Sequence, residues 1–179
     1  TMKYLEEFNR ILEKMICNMK NAKLTNSISN NFIVQMIPHH RAAIEMSCNI
    51  LQYTTDLTLQ EIASNIVAEQ TKSIENMLAI QHKCCTAVNS RQQLCWYQNQ
   101  IDRIMQTMFS NMKNASATNC INCNFLWEMI PHHMGAVEMA QTTLRCGICP
   151  ELRPILQAIK QSQKSGIEQM EKLLSCLNC

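Results

Sequence analysis

Four of the chain's five histidines stand in two adjacent pairs, His39–His40 and His132–His133. Each pair closes the same pentapeptide, Met-Ile-Pro-His-His, within VQMIPHHRAAIEMS at 34–47 and WEMIPHHMGAVEMA at 127–140. Imidazole and thioether together suit a soft, low-valent ion such as Cu(I), whereas calcium and magnesium require oxygen ligands. On a helix of about 3.6 residues per turn, Phe32, Met36, His39, Ala43, Met46 and Ile50 share one side. His40 flanks that stripe about 100° away from His39. Phe125, Met129, His132, His133, Ala136 and Met139 repeat the placement.

The repetition extends along the whole chain. A shift of 93 residues aligns NMKNA at 18–22 with NMKNA at 111–115, and eight of eleven positions match between Met36–Met46 and Met129–Met139. Gln70, Ile74, Glu75 and Met77 meet Gln163, Ile167, Glu168 and Met170 under the same shift. The sequence therefore reads as a tandem duplication, with units at 1–85 and 93–179 and a joint near 84–93. Apolar periodicity predicts three helices in each unit, at about 3–21, 29–53 and from Asp56 onward, then 94–114, 120–145 and 150–177. Short connections make neighbours antiparallel, so the expected fold is all-α, an up-down helical bundle. Pro38 and Pro131 lie within the middle helices and are expected to kink them.

Counting back from the turns places Met36 level with the segment from Leu12 to Met15, and His40 level with Gln70. The same count sets Met129 beside Met105–Met108 and His133 beside Gln163. Each unit is thus expected to hold one His-His/Met pocket. Its candidate ligands are Met36, His39, His40, Met46 and Met77 in the first unit, and Met129, His132, His133, Met139 and Met170 in the second. Met15, Gln70, Met108 and Gln163 surround them, with the glutamines expected to hydrogen-bond a histidine and fix its tautomer.

Other chemistries fail at the letters. A di-iron site needs inward Glu with Glu-x-x-His on facing helices, but Met36 and Ile37 stand three before the first pair. Glu128 precedes His132 by four, yet its counterpart is Gln35. His-Glu-x-x-His is absent, and no motif ties a nucleophile to a histidine, so no residue is assigned to catalysis. The competing reading treats the methionines as ordinary core fillers. It makes the protein a disulfide-stapled helical module with a metal-free core that binds another protein.

The 11 cysteines ignore the repeat. Cys120/Cys123 and Cys176/Cys179 should meet at one end of the second unit, as disulfides or as a thiolate cluster that could hold zinc. Cys17 is expected near Cys84 or Cys85, while Cys146 and Cys149 flank the opposite turn near Cys95. Cysteines at helix ends read as staples, which implies an oxidising compartment.

Composition removes further classes. A charge of +2 with scattered basic residues points to neither nucleic acid nor an anionic membrane. No apolar run reaches the roughly 18 residues that a spanning helix needs. With 3 Gly and 4 Pro against 13 Met, helix breakers are few.

The histidine motif resembles that of the bacterial family labelled domain of unknown function 305. Its signature is similar to Phe-x-x-x-Met-x-x-His-His-x-x-Ala-x-x-Met, followed by Gln-x-x-Glu-Ile-x-x-Met. Phe32, Met36, His39, His40, Ala43 and Met46 fit the first part, and Gln70, Ile74 and Met77 fit the second. The residues 93 positions later fit again, so the resemblance spans nearly the whole chain. It departs at the Glu of the second part, which here is Ser73 and Gly166. The resemblance implies a ferritin-like helical fold, a secreted or cell-envelope location, and copper carried on the Met and His positions for sequestration or delivery. A leader removed ahead of Thr1 accords with export. The partner expected is a metal ion.

Overall fold

The apolar stripes fold as helices whose ends fall within a few residues of those expected. The computed structural model describes residues 1–179 as α1 (Met2–Lys20), α2 (Ile28–Ile50), α3 (Leu57–Cys84), α4 (Arg91–Lys113), α5 (Ile121–Leu144) and α6 (Leu152–Cys176), with no strand. Local chemistry sets the starts. Ser27 accepts the Asn30 N–H at the head of α2, and Asp56 accepts the Leu59 N–H at 2.8 Å at the head of α3. Ser90 and Gln93 form a reciprocal capping box on α4. Pro38 and Pro131 sit inside α2 and α5, which run on through them.

Helices α1 and α3 pack against α2, and α4 and α6 pack against α5. The halves then join through α2 against α5 and α3 against α6. Contacts fix the directions. Asn49 near the end of α2 donates to the Tyr4 carbonyl near the start of α1, and Lys14 pairs with Glu45 at 2.7 Å between them. The middle helices have apolar residues over most of their circumference, and that is why they occupy the centre. One continuous core of 40 buried residues runs from Tyr4 to Leu173, through both halves. The joint is therefore a turn in the chain, not a gap in the packing.

That turn is fastened by Asn89. Its side-chain oxygen accepts the Ile28 N–H at 2.9 Å, and its amide nitrogen donates to the Gly147 carbonyl at 2.7 Å. Its own N–H donates to the Asn26 carbonyl at 2.9 Å. Nearby, the Cys149 N–H donates to Ser29 Oγ, and Cys84 forms a disulfide with Cys149. Asn89 thus ties the α1–α2 turn to the α5–α6 turn. Replacing it by Ala removes two side-chain bonds and should lower stability by roughly 1–3 kcal/mol, read as a fall in the urea midpoint at constant slope. Asn89→Asp keeps only the acceptor and should fall between.

Candidate metal centre

Where α2 meets α5, each helix presents its first histidine to the other. His39 Nε2 lies 3.1 Å from the His132 carbonyl oxygen, and His132 Nε2 lies 3.1 Å from the His39 carbonyl oxygen. A carbonyl only accepts, so both Nε2 atoms carry the proton and donate. Each Nδ1 is then a bare lone pair. The two rings stack with centroids 3.6 Å apart at 25°. His40 and His133 follow on the outside, 5.7 Å from His39 and 5.8 Å from His132. In place of one histidine pocket in each unit, the four rings form a single row through the middle of the molecule.

All four rings are buried, and burial disfavours the imidazolium. It pushes His39 down to about 3 and His133 down to about 4. Burial also holds His40 and His132 well below the ordinary imidazole range, with neighbouring histidines adding to the shift. The row is therefore neutral at pH 7. The Nδ1 atoms of His39 and His132 are thereby buried acceptors without a hydrogen-bond partner. Buried acceptors left unpaired are costly, and a metal ion is one species that would satisfy them.

Met36, Met46, Met77, Met129, Met139, Met170, Met15 and Met108 all belong to the same core, none more than 2% exposed. The imidazoles alone do not close on an ion. The only set of three His, Cys, Asp or Glu donor atoms lying within 4.8 Å of one another is Cys120, Cys123 and Cys179. A centre at the histidines would have to be completed by thioethers.

The glutamines behave otherwise than expected. His40 Nε2 meets Ser73 Oγ at 3.0 Å, and both polar atoms of the Gln70 side chain lack a partner. Gln163 Oε1 is likewise unpaired. The reason is register: counting from the turns misses by three residues, about one helical turn. The level of the second histidine is thus residue 73, and residue 166 in the second half. A Cβ on Gly166 would stand 3.0 Å from His133 Cδ2 and 3.2 Å from its Nε2. These are the two positions where the family signature carries Glu. Here a hydroxyl takes the carboxylate's place beside one histidine, and at the other the His133 ring packs so closely on Gly166 that a Cβ would crowd it. Gln70, Gln163, Ser73 and His40 line a cavity of about 430 Å³ between α3 and α6, which meets the row at His40 alone.

One buried acid escaped the sequence reading. Tyr4 of α1 donates to Glu128 Oε2 at 2.6 Å, joining the first helix to the fifth. Burial pushes the Glu128 carboxyl up to about 8, and the Tyr4 hydrogen bond opposes that shift. No local pattern announces a partner 124 positions away.

The cysteines meet the expectation at one corner, through Cys123 and Cys179, and depart from it at Cys84. Cys84 joins Cys149, and Cys123 joins Cys179. Cys17 and Cys85 are exposed and free, because the end of α3 lies against the start of α6 and not beside α1. Cys95 and Cys146 are also unpaired. In the expected corner, Cys120 joins the Cys123–Cys179 pair, while Cys176 is exposed and stands outside the cluster.

The family model described as Domain of unknown function (DUF305) matches residues 14–174. Among solved structures, a DUF305 fragment from Deinococcus radiodurans is similar in fold, with a TM-score of 0.60 at 22% identity, covering 86% of this chain and 97% of that one. CopM in a silver-bound form aligns with a TM-score of 0.62 at 25% identity over 84% of this chain and 97% of its own. CopM in a Cu(II)-bound form aligns at 0.59 and 27% identity over 82% and 96%. No curated protein matches.

Proposed function

The chain belongs to the DUF305 family, and on that premise we propose that it is an exported copper-handling protein that holds Cu(I) at the histidine row for sequestration or delivery. The observation that carries this reading is the row of four buried, neutral imidazoles, in which His39 and His132 hold Nδ1 lone pairs without a partner. The His39–His132 exchange fixes the tautomer that leaves those lone pairs bare. CopM, similar over most of its length, has silver-bound and Cu(II)-bound forms. His39, His40, His132 and His133 would supply nitrogen, and Met36 and Met129 sulfur. Met46, Met77, Met139 and Met170 would be auxiliary ligands, with Met15 and Met108 as soft packing around them. Sulfur and imidazole favour the monovalent ion.

The ancestry that best accounts for the 93-residue register is duplication of a three-helix, ferritin-like unit, 1–85 and 93–179, fused through α2 and α5. Two disulfides suit an oxidising compartment, in keeping with export. No helix is long and apolar enough to cross a membrane.

The test is a Cu(I) titration against a competing chelator with the disulfides kept closed. Wild type should bind tightly, and His39→Ala/His40→Ala/His132→Ala/His133→Ala should not. A second variant guards against unfolding. Met36→Leu/Met129→Leu conserves volume and should cost under about 1.5 kcal/mol at each site, yet weaken Cu(I) binding at least tenfold. Unchanged binding in both would return the row to the core. The protein would then be read as a disulfide-stapled interaction module, the reading that the two observed disulfides also favour.

A further inference from the structure

At the head of α5, three sulfur atoms collect where the helix begins and the chain ends. Cys120 is the N-cap of α5, and its Sγ accepts the Cys123 N–H at 3.4 Å. The same Sγ lies 2.8 Å from Cys123 Sγ, and Cys179 Sγ joins both within 4.8 Å. Cys123 is buried and bonded to Cys179, whereas Cys120 and Cys179 are exposed. Three metal–thiolate bonds of about 2.3 Å at about 120° set sulfur atoms roughly 4.0 Å apart, a spacing this cluster can reach with small side-chain shifts.

We propose that Cys120, Cys123 and Cys179 form a redox-gated thiolate site for Cu(I), separate from the histidine row. His132 lies 12 residues further along α5, about 18 Å at 1.5 Å per residue. With the disulfide closed, only the Cys120 thiol is free to ligate. A dithiol reductant opens the site. It gives two electrons and two protons to the Cys123–Cys179 bond, which breaks into two thiols, and it leaves as its own disulfide. The three thiols then bind one Cu(I) through three sulfur–copper bonds and release three protons. Three thiolates fit trigonal Cu(I), whereas structural zinc almost always takes four ligands. Cys176, exposed and outside the cluster, does not supply a fourth.

Access makes the gate selective. Thiol–disulfide exchange requires the attacking thiolate to reach a sulfur. Cys179 is exposed, while Cys84 and Cys149 are both buried. A mild reductant should open Cys123–Cys179 first and leave the clamp between α3 and α6 intact.

The experiment compares wild type, Cys120→Ser and Cys48→Ser, the last removing an exposed free thiol of α2 that lies outside the cluster. A water-soluble phosphine is applied until alkylation and peptide mass show Cys123–Cys179 open and Cys84–Cys149 closed. After anaerobic desalting, Cu(I) is titrated against a competing chelator. Ser is a preferred N-cap, so Cys120→Ser keeps the start of α5. Reduced wild type should take up one more tight equivalent than reduced Cys120→Ser, with Cys48→Ser matching wild type. Oxidised wild type and oxidised Cys120→Ser should match each other. All three chains carry the histidine row, so its contribution cancels whether or not it binds copper. Equal uptake by reduced wild type and reduced Cys120→Ser would overturn the site. The extra equivalent in oxidised wild type would overturn the gate.

Discussion

Metal-free protein taken from pH 7 to pH 4 should unfold, with most of the loss falling below pH 6.5. The cause is the histidine row. His39 titrates near 3 and His133 near 4 in the fold, against an ordinary value of 6.5. A depressed base leaves stability intact above 6.5. As pH falls below that value, the unfolded chain gains a proton that the folded chain refuses, and the slope of stability against pH becomes positive. At about 1.4 kcal/mol per pKa unit, His39 and His133 each account for roughly 3 kcal/mol by pH 4. His40 and His132 add in the same direction. Together these losses rival the roughly 5–15 kcal/mol by which domains are stable. Urea midpoints measured by circular dichroism between pH 4 and 8 would check this. The midpoint should fall steeply below 6.5, and equal midpoints at pH 5 and 7 would show that the rings are not buried neutral in solution. Copper that uses the lone pairs competes with protons, so Cu(I)-loaded protein should unfold at lower pH.

The parts of this site that could be read in the letters are those set by one helix at a time. Periodicity put His39, His40 and Met36 on the inner side of α2, and Asp56 declared itself as a cap because both signals are complete within about two turns. What escaped depends on how helices are laid beside one another. Counting from a turn gives height along an axis, but it cannot resolve one turn of register, and so Gln70 was expected where Ser73 stands. It also cannot say which helix is the lateral neighbour. The His39–His132 stack, the Tyr4–Glu128 bond and the Cys84–Cys149 disulfide all cross between halves. Each partner is unremarkable in its own segment. Cys84 at the end of α3 looked like a mate for Cys17 only so long as the first half was taken by itself.

The alkaline side of the stability curve should belong to Glu128. Its carboxyl titrates near 8 in the fold against an ordinary 4.5, because burial opposes the charge. A raised acid leaves stability whole below 4.5 and removes it as pH climbs through 8, since the unfolded chain sheds its proton first. The shift corresponds to roughly 4–5 kcal/mol at high pH. Glu128→Gln keeps the shape and the oxygen that accepts from Tyr4, and it cannot ionise. The residue 93 positions earlier, Gln35, is already an amide buried in the matching place. The variant should therefore gain several kcal/mol at pH 9. At pH 5 it should gain nothing, or lose about 1–2 kcal/mol if its amide N–H is left unpaired. Tyr4→Phe, which strips the carboxylate of its donor, should be less stable than wild type at pH 9. Parallel curves for wild type and Glu128→Gln from pH 5 to 9, in equilibrium urea unfolding, would mean that Glu128 is solvated. Curves that cross would mean that two buried elements limit the fold from opposite sides: a row of bases that acid charges and one acid that alkali charges. The most stable pH then lies near neutrality, where the histidines are already neutral and Glu128 still holds its proton.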